Sequence, residues 1–302
     1  MSGEPSRLRK GQHHVRTADG LDLFCRSLAP PGPRGVIVIV HGLGEHGGRY
    51  RPTAEWFCGQ GFAVFAGDLR GHGLSPDAPG GGRVHVRRFE EYFLDVDAFV
   101  AVARQAHQDL PLFLLGHSMG GLITIRYVLD NPGRHAGAVI SSPALATHPD
   151  YRPPLLLRLL VSLLSRLVPR ALFESDLEVE ALSRDPEVVR AYVDDPLVTH
   201  KVSARWYAET LKSMQRAFEL AGTLQTPLLL MQAGADRLVD PGAPARWAAA
   251  APSEYVECVV WEGLYHELFN EPGKDRVRAR TVEWLDARLA GVGVNSDPIH
   301  PA

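Results

Sequence analysis

Short apolar runs, each followed by turn residues and then by a segment of helical periodicity, recur along the chain. The runs are continuous rather than alternating, as expected for strands that are covered on both faces. Strands that alternate with helices in this way build a mostly parallel sheet with helices on both faces. The pattern predicts strands at residues 36–40, 62–66, 112–115, 138–141, 228–232 and 256–261, and helices at residues 89–108, 122–130 and 276–289.

This alternation stops between Pro143 and about Gly222, where the pattern becomes helical throughout and is divided by prolines. We therefore predict an α/β core formed by residues 1–143 and 223–290, with a helical cap, or lid, inserted as residues 144–222. The two ends of the chain have the small and polar composition of loose segments, which we expect at residues 1 to about 11 and 291–302.

The cap contains a leucine-rich segment, LLLRLLVSLLSRLV at residues 155–168, whose polar positions recur at helical spacing. Leaving each leucine exposed costs about 1.5–3 kcal/mol, so this face needs a cover. A lipid tail or a bilayer surface would cover it, and so would the protein core or a second copy of the chain in a homodimer. The lipid hypothesis assigns substrate or membrane contacts to Leu155, Leu156, Leu159, Leu160 and Leu163.

Composition narrows the classes of partner. The 302 residues are 45% hydrophobic and 22% charged, and the formal net charge of -3 gives no electrostatic reason to expect a nucleic-acid partner. Three widely separated cysteines without nearby histidines give no indication of a zinc site, so we expect no metal and unreactive thiols. The first residues lack the apolar run of a secretion signal, and no stretch reaches the roughly 18 apolar residues of a membrane-spanning helix. We expect a cytoplasmic protein with at most peripheral membrane contact.

The sharpest local motif is Gly-His-Ser-Met-Gly-Gly at residues 116–121, between a predicted strand and a predicted helix. Glycines two positions before and after Ser118 let the chain turn sharply, so that the hydroxyl projects above the sheet. There, at the N-terminus of the helix, free backbone N–H groups can meet a developing anion. The motif predicts Ser118 as a nucleophile, and the alternative is that Ser118 only caps the helix.

A serine hydroxyl needs a base and an orienting acid, which in such a strand–elbow–helix arrangement follow in the order Asp, then His. Asp236 and His266 each come shortly after a predicted strand. Because loops at the carboxyl ends of parallel strands share one edge of the sheet, we expect His266 to take the proton from Ser118 and Asp236 to orient His266. Asp240 is a rival for the acid, and either aspartate could instead cap the helix that follows.

A third segment, His-Gly-Leu-Gly-Glu-His at residues 41–46, also follows a predicted strand. Glycines on both sides of Leu43 free its backbone to approach the site. We expect the backbone N–H groups of Leu43 and Met119 to form an oxyanion hole.

Two neighbouring features favour structural roles. Glu45 and Arg49 are four residues apart, a spacing that predicts a supporting ion pair. The segment at residues 68–75 is typical of a structural loop, and we expect no catalytic role for His72, which has no partnering nucleophile.

Four segments together resemble the monoacylglycerol lipase and lysophospholipase branch of the α/β-hydrolase superfamily. They are HGLGEHGGRY at residues 41–50, DLRGHGLS at residues 68–75, GHSMGG at residues 116–121 and YHELFNE at residues 265–271. The resemblance implies an α/β-hydrolase fold and hydrolysis of single-chain glyceride esters through an acyl-enzyme, without a cofactor. It places catalytic roles on Ser118, Asp236 and His266, and oxyanion roles on Leu43 and Met119.

Three hypotheses for the function stay open. The first is a monoacylglycerol lipase, and the second is a lysophospholipase, carboxylesterase or serine aminopeptidase with the same three side chains. The third is a non-enzymatic ligand-binding protein that keeps the fold. A peptidase would need a buried carboxylate for the free amine of its substrate, whereas a lipase needs an apolar tunnel ending near Ser118. The leucine-rich cap favours the lipase, and a complete set of Ser, Asp and His argues against a non-enzymatic protein.

Overall fold

A mixed sheet of eight strands lies at the centre of the protein in a computed structural model that describes residues 8–77, 83–151, 163–175 and 177–292. Its strands, in spatial order, are β1 (Arg9–Arg16), β2 (Asp22–Ala29), β4 (Phe62–Gly67), β3 (Gly35–Val40), β5 (Leu112–His117), β6 (Gly137–Ser141), β9 (Leu228–Ala233) and β10 (Val256–Trp261). β1 and β2 pair antiparallel with each other, β2 is antiparallel to β4, and all other pairs of this sheet are parallel. The predicted mostly parallel sheet is therefore confirmed.

Helices cover both faces of this sheet. In β3, Val36, Val38 and Val40 pack into the same core as the helices α2 (Glu91–Ala106) and α3 (Met119–Asp130). Ile37 and Ile39 pack on the other face with α1 (Arg51–Gly59) and α7 (Lys274–Val292). This two-sided burial explains why the strand has a continuous apolar sequence. The helices are α1 (Arg51–Gly59), α2 (Glu91–Ala106), α3 (Met119–Asp130), α4 (Pro186–Val193), α5 (Ala204–Leu220), α6 (Ala243–Ala250) and α7 (Lys274–Val292), with single 3-10 turns at Gly47–Tyr50, Pro149–Tyr151, Val179–Ala181 and Ala221–Thr223.

The ends of the chain differ from the sequence prediction. β1 begins at Arg9, so the loose segment predicted up to about residue 11 is wrong for its last three residues. The last helix continues to Val292, two residues into the segment that was expected to be loose from residue 291. β10 is one of the two edge strands of the sheet, and several of its side chains are exposed, so the expectation of two-sided burial is wrong there.

The segment between β6 and β9 contains more than helices. β7 (Leu172–Glu174) and β8 (Lys201–Ser203) form a separate antiparallel pair, so the prediction of a helical pattern throughout is wrong at these two triplets. Strands of three residues are too short to show a periodicity, and each of these two pairs with a partner that lies far away in the sequence. Around this pair the described part of the segment contains α4 and α5.

The leucine-rich part of the cap is described only from residue 163 onward. Leu163 is 52% exposed, whereas Leu155, Leu156, Leu159 and Leu160 lie outside the described residues. Five large apolar side chains that lie close together in the sequence of this region are exposed to solvent. We call them the cap patch: Leu163, Leu167, Val168, Leu172 and Phe173. Among the described helices, none combines the length and the apolar character needed to cross a bilayer.

Candidate active site

Ser118 lies at a strained turn between β5 and α3. Its backbone has φ 52° and ψ −117°, a conformation that a residue with a side chain adopts only at some cost. Crowding explains the flanking glycines, because a Cβ at Gly120 would lie 2.1 Å from the carbonyl oxygen of Val40. The side chain of Ser118 makes no capping hydrogen bond to α3, so the alternative that Ser118 serves as a side-chain cap is wrong.

A buried histidine–aspartate pair lies at the same edge of the sheet. Nδ1 of His266 is 2.7 Å from Oδ2 of Asp236, and both side chains are almost completely buried. Burial alone would lower the pKa of His266, but the charge and the hydrogen bond of Asp236 raise this pKa above its ordinary value. Conversely, burial would raise the pKa of Asp236, and the partnership with His266 lowers it. The bond uses Nδ1, so Nε2 is the nitrogen left for other chemistry.

Backbone groups hold Asp236 in place. Oδ1 of Asp236 accepts hydrogen bonds from the N–H groups of Leu238 and Val239, at 2.9 and 3.1 Å. Asp240, the rival acid, accepts from the N–H of Gly242 at 2.9 Å and pairs with Arg246. The structure thus brings Asp236 rather than Asp240 to Nδ1 of His266, and Asp240 fixes the turn before α6.

Ser118 and His266 line one pocket between the central sheet and the segment that joins β6 to β9, for which we keep the name cap. Leu43 and His117 contribute to the core side of the pocket, and the cap side is formed by Leu177, Leu182 and Tyr192. The free volume is about 20 Å³, the space of a single water molecule. His117 packs its ring 4.8 Å from that of His266, and burial together with the charge of His266 lowers the pKa of His117 to about 4.

The loop that carries Leu43 is fixed by His41. Nε2 of His41 accepts a hydrogen bond from the N–H of Leu69 at 2.9 Å, so the ring proton is on Nδ1, which donates to the carbonyl oxygen of Gly42 at 2.8 Å. The N–H of Gly42 donates to Glu45 Oε1 at 2.6 Å. The peptide between Gly42 and Leu43 is therefore locked. His41 stands in a motif that the sequence singles out, but no local pattern says which group its ring meets.

Arg49 joins the two loops that flank the pocket. It pairs with Glu45 at 2.6 Å, which confirms the predicted ion pair, and with both carboxylate oxygens of Glu267 at 2.7 and 3.0 Å. Burial would raise the pKa of Glu45, but Arg49 and other neighbouring donors bring this pKa down to about 2. The guanidinium also lies 4.7 Å above the ring of Tyr192 in α4. The contacts with Glu267 and Tyr192 were missed at the sequence level, since no spacing rule links such distant residues.

The loop at residues 68–75 has the structural character that its sequence indicates. Asp68 pairs with Arg26 and accepts hydrogen bonds from the N–H groups of Gly47 and Leu74. His72 is fully buried, and burial together with the nearby His41 lowers its pKa to about 3. His72 is not among the described residues that line the pocket with Ser118.

Among the described residues, no group of three or more His, Cys, Asp or Glu side chains is arranged to hold a metal ion. Cys25 and Cys58 are buried, Cys258 is exposed, and all three are free thiols. Burial raises the pKa of Cys25 and of Cys58 to about 12, which leaves both thiols protonated near neutral pH.

Similarity to known proteins extends over most of the chain. The chain is 41% identical over 248 residues to phospholipase YtpA of Bacillus subtilis, and the match covers 81% of this chain and 92% of that protein. It is 38% identical over 258 residues to the monoacylglycerol lipase of Mycolicibacterium smegmatis, covering 85% and 90%. Human monoglyceride lipase is 34% identical over 289 residues, covering 94% and 93%.

The fold comparison agrees with these similarities. The crystal structure of Paleococcus ferrophilus monoacylglycerol lipase matches with a TM-score of 0.79 and 34% identity, over 88% of this chain and 99% of that chain. The α/β-hydrolase fold expected from the sequence is thereby confirmed. Residues 31–273 match the Hydrolase_4 family, described as serine aminopeptidase S33, and the chain therefore belongs to this family of α/β hydrolases.

Proposed function

We propose that this chain is a serine hydrolase that cleaves the ester bond of monoacylglycerols, with Ser118 as nucleophile, His266 as general base and Asp236 as the acid that orients His266. One observation carries the proposal: a serine at a strained elbow shares a pocket with a buried histidine that is already bonded through Nδ1 to an aspartate. A strained backbone costs about 1–3 kcal/mol, and a buried ion pair seldom stabilises a fold. Catalysis accounts for both features.

In the proposed reaction, Ser118 Oγ attacks the ester carbonyl carbon while Nε2 of His266 accepts the hydroxyl proton. The tetrahedral intermediate collapses as the C–O bond to glycerol breaks, and His266 returns the proton to the glycerol oxygen. Water then attacks the acyl-enzyme with His266 again as the base, and the fatty acid leaves as Ser118 regains its proton. Asp236 keeps the imidazole in the required tautomer and stabilises the imidazolium in each half of the cycle.

We assign the oxyanion hole to the backbone N–H groups of Leu43 and Met119. The Gly42 carbonyl is held by His41, so the N–H of Leu43, on the opposite side of the trans peptide, is directed away from that ring. Met119 is the first residue of α3, where an N–H has no partner within the helix. Two such donors fixed before the reaction stabilise the developing charge without reorganisation.

The charges in the pocket favour an ester over a peptide with a free amino terminus. Glu45 and Glu267 are buried carboxylates, the kind of group that an aminopeptidase needs. Both are already engaged, however, because Arg49 pairs with the two of them, Glu45 also accepts from Gly42 and Tyr50, and Glu267 also accepts from Asn270. A substrate ammonium group would have to displace these donors. The neutral glycerol of a monoacylglycerol has no such requirement.

Lysophospholipid hydrolysis is the second candidate, because phospholipase YtpA is the relative with 41% identity. A phosphate head group needs cationic partners. Among the described residues beside Glu45 and Glu267 the paired cation is Arg49, and its charge is outweighed by those of the two carboxylates. This balance favours an uncharged head group.

We further propose that the cap admits the acyl chain and contacts the lipid surface from which the substrate comes. The free volume between the described lining residues is about 20 Å³, far below the roughly 300 Å³ or more of a typical ligand pocket, and we infer that the cap side opens to admit a long chain. The cap patch offers apolar side chains suited to peripheral contact with a bilayer. A second copy of the chain is the competing cover for the same side chains.

A substrate panel tests the proposed function. Hydrolysis of monoacylglycerols, diacylglycerols, lysophospholipids and aminoacyl amides is compared across acyl lengths for the wild type and for Ser118→Ala. We expect the highest kcat/KM on monoacylglycerols and only background hydrolysis by the variant. Preference for aminoacyl amides, or equal activity of Ser118→Ala, would reject the proposal, and preference for lysophospholipids would select the second candidate.

A further inference from the structure

A fully buried amide side chain lies beside the candidate catalytic pair. Gln232 is the fifth residue of β9 and is 0% exposed, after four apolar residues that fill the core. Burying an amide in such a strand is unfavourable unless its groups find hydrogen-bond partners. A glutamine that breaks an apolar strand at its carboxyl end, four residues before Asp236, therefore calls for a functional explanation.

The orientation of this amide is determined by its acceptors. Nε2 of Gln232 donates to the carbonyl oxygen of Ala233 at 2.9 Å and to Oδ2 of Asp236 at 3.1 Å. A flipped amide would place its oxygen against these two oxygens. Within the described part of the chain, Oε1 of Gln232 has no hydrogen-bond partner. The amide nitrogen is thus satisfied while the oxygen is left unpaired, an arrangement that does not optimise stability.

Gln232 and His266 share one carboxylate oxygen. Oδ2 of Asp236 accepts both from Gln232 and, at 2.7 Å, from Nδ1 of His266, while Oδ1 is taken by two backbone N–H groups. We propose that Gln232 is a positioning residue for the reaction: its amide N–H holds Oδ2 of Asp236 toward His266 and moderates how strongly that carboxylate attracts the imidazole proton. This inference rests on the proposed function for its kinetic consequences, but not for its geometry.

The expected effect follows from competition for Oδ2. Without the amide donor, more of the negative charge of Asp236 acts on His266, so the imidazolium is stabilised and the histidine loses its proton at a higher pH. The other ionisable groups near His266 are Glu267, Glu45 and His117, and the substitutions proposed below leave all of them in place. A change in the titration of His266 then reports on Gln232.

Two variants and one control test the proposal. Gln232→Met keeps the length of the side chain and removes the donor, whereas Gln232→Glu keeps the shape and adds a negative charge once ionised. The control, Leu230→Met, introduces the same side chain on the same strand and the same face, also at a fully buried position. The pH dependence of kcat/KM on a soluble short-chain ester is measured together with the downfield proton NMR signal of Nδ1–H of His266.

We expect the midpoint of the acidic limb, and of the NMR titration, to rise by about 0.5–1 pH unit in Gln232→Met and further in Gln232→Glu. At the pH plateau kcat should fall about tenfold in Gln232→Met with KM within about twofold, since the change acts on the transition state. Leu230→Met should retain the midpoint of the wild type.

An unchanged midpoint in Gln232→Met, with a loss of activity that follows thermal stability as it does in Leu230→Met, would overturn the proposal and leave Gln232 a structural residue. If Gln232→Met does not fold, the uncharged Gln232→Leu, which also lacks the donor, decides by the same midpoint. The NMR titration does not depend on turnover. A protein that hydrolyses no ester but shows the shifted NMR midpoint would contradict the proposed function and still support the role of Gln232.

Discussion

The two walls of the candidate pocket are built in different ways. On the core wall, Ser118, His266 and Leu43 follow the carboxyl ends of parallel strands of the central sheet, and hydrogen bonds fix their loops. On the cap wall, Leu182 directly follows a 3-10 turn and Tyr192 lies in the short helix α4, both outside the central sheet. The core wall is thus held by hydrogen bonds at the edge of the central sheet, whereas the shape of the cap wall depends on how the segment between β6 and β9 packs against that edge.

Polar contacts join the two walls at several points. The carbonyl oxygen of Gly44 accepts a hydrogen bond from the N–H of Thr199 at 2.9 Å, and His46 contacts Asp195 at 2.8 Å. A Cβ at Gly44 would lie 2.4 Å from the carbonyl oxygen of Thr199, and the backbone there has φ +74°, so only glycine fits. The loop with the proposed oxyanion donor is therefore docked directly on the cap.

Substitution of Asp236 behind the core wall should have a large effect on activity. Asp236→Asn removes the charge that holds His266 in its tautomer, and we expect kcat to fall about 10⁴-fold. Because Asp236 raises the pKa of His266, the residual activity should also have its acidic limb at a lower pH than in the wild type. Asp240→Asn is the matched control and should keep kcat within about threefold by this assignment. A larger loss in Asp240→Asn than in Asp236→Asn would contradict it.

The junction between the walls should be most sensitive at Arg49. Arg49→Leu leaves Glu45 and Glu267 buried without their cation, and we expect the free energy of unfolding at pH 7 to fall by about 3–5 kcal/mol. Arg51→Leu breaks an exposed ion pair with Glu55, in which the arginine side chain is 69% exposed. This variant should lower the free energy of unfolding by at most about 1 kcal/mol. Urea unfolding measures both losses.

The pH dependence of stability sharpens this prediction. The pKa of Glu45 in the folded protein is about 2, below its ordinary value of 4.5. The stabilisation linked to this shift is present above pH 4.5 and is lost as the pH falls toward 2. In Arg49→Leu this loss on acidification should be smaller. Equal costs for Arg49→Leu and Arg51→Leu at pH 7 would show that the buried network does not join the walls.

The oxyanion assignment predicts a difference between two substitutions at one position of the core wall. Leu43→Pro deletes the backbone N–H and should lower kcat about 10²–10³-fold, whereas Leu43→Ala keeps the N–H and should lose far less. The measurement is kcat on a short-chain ester, with circular dichroism to verify folding. Equal kcat values for the two variants would remove Leu43 from the oxyanion hole.

The smallest effect is expected on the cap wall. Leu167→Glu or Phe173→Glu in the cap patch should lower turnover of long-chain monoacylglycerols several-fold, leave short-chain turnover unchanged and weaken sedimentation with anionic vesicles. Val260→Glu, at an exposed apolar position of β10, is the control and should change none of these. An equal effect on both chain lengths, or a dimer in the wild type that the cap substitutions dissociate, would favour packing over lipid contact.

The sequence predicts the core wall better than the cap wall for physical reasons. Strands buried on two faces are apolar throughout, and the Ser118 elbow is a local motif, so both are visible in a short window of sequence. β1 and β2 are harder to recognise because polar residues are frequent in them, as in RKGQHHVR. β7 and β8 depend on each other across a long loop.

Within the site, residue type and order indicated Asp236 and His266, but not their neighbours. The loop position of Asp236 favoured it in the sequence and left Asp240 as a rival, and the path of the folded loop determines which of the two meets His266. The contacts of His41 and Gln232 arise from tertiary structure, and nothing in the local pattern specifies them. The apolar context of Gln232 was nevertheless a usable signal, because an amide in a buried strand needs a reason.

The central claim is that His266 activates Ser118, and the most direct test is labelling with a fluorophosphonate followed by intact-mass and peptide mass spectrometry. We predict one adduct per chain, located on Ser118, absent from Ser118→Ala, and formed more slowly as the pH falls through the raised pKa of His266. Labelling of Ser118→Ala at the rate of the wild type, or an unlabelled wild type, would contradict the account.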